Sequence, residues 1–191
     1  MKERRDLPTT GQLAEEMRRL QYGERFAKSV LHTVSSLIVA AAAAVLISTM
    51  LLPVLRVTGA SMTPTLQNDE ILLCNKLRNV QRGDIIAFYY NNKVLLKRVI
   101  GTAGDKIDIE EDGTVILNGE PLDEPYIQES DFGECDIDLP YQVPENRHFV
   151  MGDHRAVSVD SRSTSVGCIS EENVIGTVFL KIWPLGSFGK P

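Results

Sequence analysis

Residues 29–55 contain no Asp, Glu, Lys or Arg. Their centre, residues 37–47, reads Leu-Ile-Val, five alanines, then Val-Leu-Ile. No other feature restricts the fold of this chain as strongly. A bilayer core of ~30 Å is crossed by about 20 apolar residues in a helix that rises ~1.5 Å per residue. Pro53 ends such a helix or sits in its last turn. A buried core helix is usually shorter and carries a polar stripe. A cleavable leader has an apolar region of about 7–15 residues behind a short basic lead. The longer run here, behind residues 1–28, reads as a retained transmembrane anchor.

Charge orients that anchor. Residues 1–28 carry seven basic and five acidic side chains, and beyond the apolar run the first basic residues are Arg56 and Lys76. Counting Lys and Arg near the ends of the span puts the N-terminus in the cytosol and the rest outside. The whole chain has a net charge of −6 and residues 1–28 contribute +2, which leaves −8 for the remainder. An acidic outer part argues against nucleic acid as a partner and fits poorly to a module that grips anionic lipid.

Three parts follow: a cytosolic segment 1–28, the anchor 29–55 and an outer domain 56–191. The first is expected to be loosely ordered, with a short amphipathic helix around 13–26. The third is long enough for one domain with its own core. It reads as mainly β, a compact barrel-like or sandwich domain. Short β-rich runs lie at 71–74, 84–90, 93–100, 106–110, 114–117, 148–151 and 174–183. Asn91-Asn92, Asp112-Gly113 and Asn118-Gly119 supply turns between them. The Pro-rich, acidic stretch 123–145 reads as a long loop. Cys74, Cys135 and Cys168 lack metal-ligand spacing. Cys74 and Cys168 read as small buried apolar residues, and an odd count leaves at least one cysteine unpaired.

Ser61 opens the run Ser-Met-Thr-Pro-Thr-Leu just beyond the anchor. A serine hydroxyl is a weak nucleophile until a base takes its proton. Of the three histidines, His32 lies inside the apolar run, leaving His148 and His154. A lysine serves equally well if burial lowers its pKa. Lys97 lies in Val-Leu-Leu-Lys-Arg-Val-Ile-Gly, residues 94–101. Strand alternation places it with Leu95 and Val99, and places Arg98 with Leu96 and Ile100. Taken alone, Lys97 reads more readily as a strand-edge lysine that blocks aggregation than as a base. Residues 151–162 pack Asp153, Arg155, Asp160 and Arg162 behind an apolar run. Carboxylate–guanidinium pairing is how such charge can be buried. Ser158, within this stretch, could orient a neutral lysine amine.

Together these three blocks resemble the bacterial type I signal peptidases, membrane-bound Ser/Lys proteases. Residues 61–66 look like the nucleophile box, 97–105 (Lys-Arg-Val-Ile-Gly-Thr-Ala-Gly-Asp) like the lysine box and 152–162 like the C-terminal box. The resemblance covers about residues 29–185, and the lack of an inserted second domain is like the compact Gram-positive members. It implies Ser61 as nucleophile, Lys97 as general base and Ser158 as the hydroxyl that bonds the lysine amine. It further implies ion pairs Asp153–Arg98 and Asp160–Arg162, and Val57, Met62 and Leu96 as lining of shallow pockets for small side chains. No metal or organic cofactor is required. The partners implied are signal-peptide-bearing precursors and membrane lipid, with contact to the export machinery left open. Two positions depart from the family pattern. Gly59 stands where many members have a serine that helps the oxyanion hole, and His154 stands where the family usually has Asn. Other readings are a Ser-His-Asp hydrolase using His154, a specialised maturation peptidase, and a non-catalytic, membrane-tethered peptide-binding module.

Overall fold

The computed structural model describes residues 9–191. Residues 1–8, the start of the segment expected to be loosely ordered, lie outside the described residues.

Among the described residues the one α-helix, α1, runs Thr10–Leu51. Thr9 and Gln12 cap it reciprocally: Thr9 Oγ1 accepts from the Gln12 N–H at 3.4 Å, and Gln12 Oε1 accepts from the Thr9 N–H at 3.0 Å. That is a capping box, in which two orphan donors of the first turn are satisfied. The short amphipathic helix expected around 13–26 is continuous with the rest of this one. Gln, Leu, Ala, Glu, Met and Arg are strong helix formers, and extending a nucleated helix adds one hydrogen bond per residue. Lys28–Leu51 is long and apolar enough to cross a membrane. The helix stops two residues before Pro53, whose ring disfavours helical geometry at Leu52.

Residues from Thr49 onward form a separate compact unit. Its strands are β1 Val54–Arg56, β2 Ile71–Asn75, β3 Ile85–Tyr90, β4 Lys93–Gly101, β5 Lys106–Ile109, β6 Val115–Leu117, β7 Glu120–Pro121, β8 Tyr141–Gln142, β9 Arg147–Met151, β10 Ile169–Ser170 and β11 Val174–Trp183. One sheet of seven strands has the order β1-β2-β11-β3-β4-β9-β10, and a smaller one has the order β7-β6-β5-β8. All the strand pairings are antiparallel. Asn91 (φ 44°) and Asn92 (φ 60°) both take the left-handed conformation needed for a two-residue hairpin between β3 and β4. The long segment 123–145 contains only β8 as regular structure, yet Phe132, Ile137, Leu139, Tyr141 and Val143 pack against the core.

Three apolar clusters hold this unit together. The first joins Val57, Met62 and Leu66 to Leu72, Cys74, Ile85, Ala87 and Val178. The second lies around Ile107, Phe149 and Met151, and the third around Ile86, Phe88, Val99 and Val150. Strand alternation in β4 feeds all three: Leu96 packs in the first, Ile100 in the second, and Leu95 and Val99 in the third.

β4 is an interior strand, but only in part. Its first half, through Lys97, pairs with β3 alone, because pairing to β9 begins at Arg98↔Met151. The backbone from Lys93 to Lys97 therefore keeps one open edge. The end strand β1 supplies another.

Candidate active site

The two open edges meet at one groove of about 340 Å³. Leu55, Val57, Gly59, Ser61 and Met62 line one side, and Lys93 to Leu96 line the other. Val57, Met62 and Leu96, the residues expected to form pockets, are all in its wall. Val57 and Met62 also belong to the first apolar cluster, so the floor of the groove is continuous with the core.

Ser61 is carried on a turn that the following residues fix. The Val57 N–H donates to the Glu70 carbonyl and Val57 O accepts from Asp69. The Gly59 N–H donates to Asn68 Oδ1 at 3.0 Å. Gly59 has φ +93° with open space where a side chain would project, so backbone conformation alone requires glycine there. The Ser61 carbonyl accepts from the His154 N–H at 3.1 Å, whereas the Ser61 N–H has no acceptor among the described residues.

Lys97 is 3% exposed and sits within the sheet, not at its outer edge strand. Its Nζ donates to Ser158 Oγ at 2.8 Å. Burial lowers its pKa from 10.5 to about 8, against the opposing pull of Asp160. At neutral pH a usable fraction is therefore the free amine.

Gly152 ties the serine turn to this pair. A Cβ at Gly152 would overlap both Ser158 Oγ and the Ser61 carbonyl oxygen. The main chain at 61 and the side chain at 158 thus close on the same point, and only glycine leaves room for both.

The surrounding charges are buried and matched. The register Arg98↔Met151 brings Arg98 beside Asp153, two residues beyond β9. Arg98 binds the Asp153 carboxylate in bidentate fashion at 2.8 and 2.6 Å and stacks 3.8 Å from the Tyr126 ring centre. Arg162 does the same to Asp160, with both bonds at 2.9 Å, and also donates to the carbonyls of Phe132, Arg155 and Ser158. Asp160 in turn accepts from the Gly152 N–H. A third pair, Arg155–Glu124, is bidentate as well, and Arg155 donates to Gly152 O. Glu124 and Tyr126 lie some thirty residues upstream in the irregular segment, and no local sequence pattern marks them.

The histidines stand apart from this geometry. The His154 ring takes Thr63 Oγ1 at 3.0 Å through Nδ1. That hydroxyl donates its proton to Ala60 O, so Nδ1 carries the hydrogen toward Thr63. Among the described residues no carboxylate bonds the ring. His148 is buried on β9 opposite Ile169, and His32 lies in α1.

The family model for signal peptidase, peptidase S26, matches residues 30–183. The chain belongs to the S26 signal peptidase family. Signal peptidase IB of Staphylococcus aureus (strain COL) is 32% identical over 181 residues, covering 84% of this chain and 93% of that protein. Signal peptidase I S of Bacillus subtilis (strain 168) is 31% identical over 175 residues, covering 85% and 94%. A crystal structure of a signal peptidase I from Enterococcus faecalis V583 is 30% identical, with a TM-score of 0.45, and covers 52% of this chain and 97% of that one. Membership in this family makes the chain a serine peptidase. The helix Lys28–Leu51 is the feature of this family member suited to membrane anchoring.

Proposed function

We propose that this signal peptidase family member removes signal peptides from exported precursors, with Ser61 as nucleophile and Lys97 as general base. The observation that carries the reading is the buried Lys97–Ser158 hydrogen bond, placed beside the Ser61 turn by Gly152. The precursor segment before the cut adds as an extended strand to the open edge of β4, the β-augmentation mode. Its small side chains enter the groove over Val57, Met62 and Leu96.

Lys97 Nζ accepts the Ser61 hydroxyl proton as Oγ bonds to the scissile carbonyl carbon. The resulting oxyanion faces the Ser61 N–H, which is free to donate. The C–N bond then breaks, the leaving amine takes the proton from Lys97, and an acyl-enzyme ester remains. Water, deprotonated by Lys97, adds to the ester carbonyl; the C–Oγ bond breaks, Ser61 Oγ takes the proton back from Lys97, and the signal peptide leaves as a carboxylate. Ser158 keeps the amine oriented, and the ion pairs Asp153–Arg98 and Asp160–Arg162 hold the 152–162 turn. The distribution of Lys and Arg puts the N-terminus in the cytosol and the catalytic unit outside. Membrane lipid and the export machinery are the expected surroundings.

The reading is tested by cleavage of a purified precursor with the detergent-solubilised chain, beside Ser61→Ala and Lys97→Ala of checked folding. Both variants should lose at least a thousandfold in rate. Retained activity in Lys97→Ala would move the role of base to another group, His154 first.

A further inference from the structure

A second cavity, of about 160 Å³, adjoins the nucleophile turn at Thr63. Its wall includes Thr63 and His154. These are the residues that bracket Ser61: His154 holds the Ser61 carbonyl through its N–H and holds Thr63 through its ring. The groove described above includes Ser61 and Met62 but not Thr63, whereas this cavity includes Thr63 but not Ser61. The two cavities thus adjoin successive residues of one turn, Ser61 and Met62 at the first and Thr63 at the second.

The geometry points to this cavity as the subsite for the residues that follow the scissile bond, with Glu129 and Asp131 selecting basic over acidic side chains there. The inference rests on the Ser61-centred reading above. Of the ionised groups in the wall, Asp153 and Arg155 are neutralised by Arg98 and Glu124. Glu129 and Asp131 are exposed and have no cationic partner among the described residues; Asp131 Oδ1 accepts only from the Gly133 N–H. The cavity therefore presents negative charge to whatever emerges from the cut. The newly freed amino terminus, with a pKa of about 7.7–8, is itself favoured there once protonated.

The test uses the full chain in detergent and peptides identical before the cut, with Lys, Gln or Glu at the first, second or third residue after it. At one or more of these positions the Lys peptide should exceed the Glu peptide in kcat/KM by roughly three- to tenfold, less in about 0.5 M salt. The double variant Glu129→Gln/Asp131→Asn should bring that ratio close to one. A wild-type ratio near one, or a ratio the double variant leaves unchanged, overturns the inference. A second readout avoids the chemistry: fluorescence anisotropy of a labelled peptide carrying only the residues after the cut, bound to Ser61→Ala. The same charge preference should appear there and vanish with the two carboxylates, and equal binding of Lys and Glu peptides overturns the inference. If hydrolysis proves independent of Lys97 while the charge ratio still responds to the double variant, the Ser/Lys reading falls and the subsite stands.

Discussion

Lys97 Nζ lies 2.8 Å from Ser158 Oγ, with the lysine 3% and the serine 4% exposed. A lysine in this setting gives up hydration of its charged form and receives a neutral hydroxyl in return. Its pKa falls to about 8 for that reason, with Asp160 and Asp153 limiting the fall and Arg162 adding to it.

The pH profile follows from that value. If the free amine is the active form, kcat/KM for precursor cleavage should climb about tenfold per pH unit below pH 8 and level off above it. A titration of initial rates from pH 6 to 10 checks this. A flat profile across pH 7–9 would remove Lys97 from the role of base.

The same shift has a cost in stability. A lysine whose folded pKa is lowered binds fewer protons folded than unfolded. The penalty is complete below about pH 8, shrinks as pH rises toward 10.5, and is absent above that. Lys97→Met keeps the length of the side chain and removes the charge, while leaving the Ser158 hydroxyl without its donor. The inactive variant should therefore be more stable than wild type by about 2 kcal/mol at pH 7, with the gap closing by pH 10.5. Thermal melting at the two pH values measures it.

Gly152→Ala should damage the site without touching either reacting group. Its new methyl would collide with Ser158 Oγ and the Ser61 carbonyl. Backbone at Ser61 has little freedom, because Gly59, Val57 and His154 hold that turn. Overpacking of this kind costs about 1–3 kcal/mol, and displacement of the serine by even 1 Å costs about a hundredfold in rate. The expected result is a large fall in kcat in a folded protein with a modestly lowered melting temperature. Near-normal kcat would mean that the turn tolerates the shift.

Much of this fold is legible in the sequence, for local reasons. β2 to β6, β9 and β11 are apolar runs, several bounded by Asn-Asn, Asp-Gly or Asn-Gly turns, and the structure places strands there within a residue or two. β1, β7, β8 and β10 have two or three residues each, too short for any periodicity to show. At the site, Ser61, Lys97 and Ser158 stand out by motif. The need for glycine at 152 does not, because it arises from two chain segments ninety residues apart. Nor does Glu124 reveal itself: its meaning depends on Arg155 folding back onto it. Lys97 taken alone resembles an edge lysine, and only the fold shows its side chain buried against Ser158, one residue before β4 begins to pair with β9.

Asp153→Ala would leave the Arg98 guanidinium buried with the Tyr126 ring, the Gly83 carbonyl and Thr65 as its remaining partners. Removing one member of a buried ion pair costs about 3–5 kcal/mol. Arg98 adjoins Lys97 on β4, so activity should fall together with stability. Denaturant unfolding of the variant checks the size. A loss under 1 kcal/mol would show that water reaches Arg98.

His148 gives the acid limb of stability. It is 4% exposed, and neither ring nitrogen has a hydrogen-bond partner among the described residues. Burial lowers its pKa, and Glu171, 3.9 Å from Nε2, pulls weakly the other way. Above about pH 6.5 the ring is neutral in both folded and unfolded chains and contributes no pH dependence. As pH falls below that value the unfolded chain takes up a proton that the folded one resists, so stability is lost. His148→Phe keeps an aromatic ring and removes the titration, together with two buried polar atoms left unsatisfied. The variant should melt slightly higher than wild type at pH 7.5, by an amount equivalent to about 1 kcal/mol. Its advantage should widen at pH 5. If the two proteins lose the same stability between those pH values, His148 is not the source of the acid sensitivity.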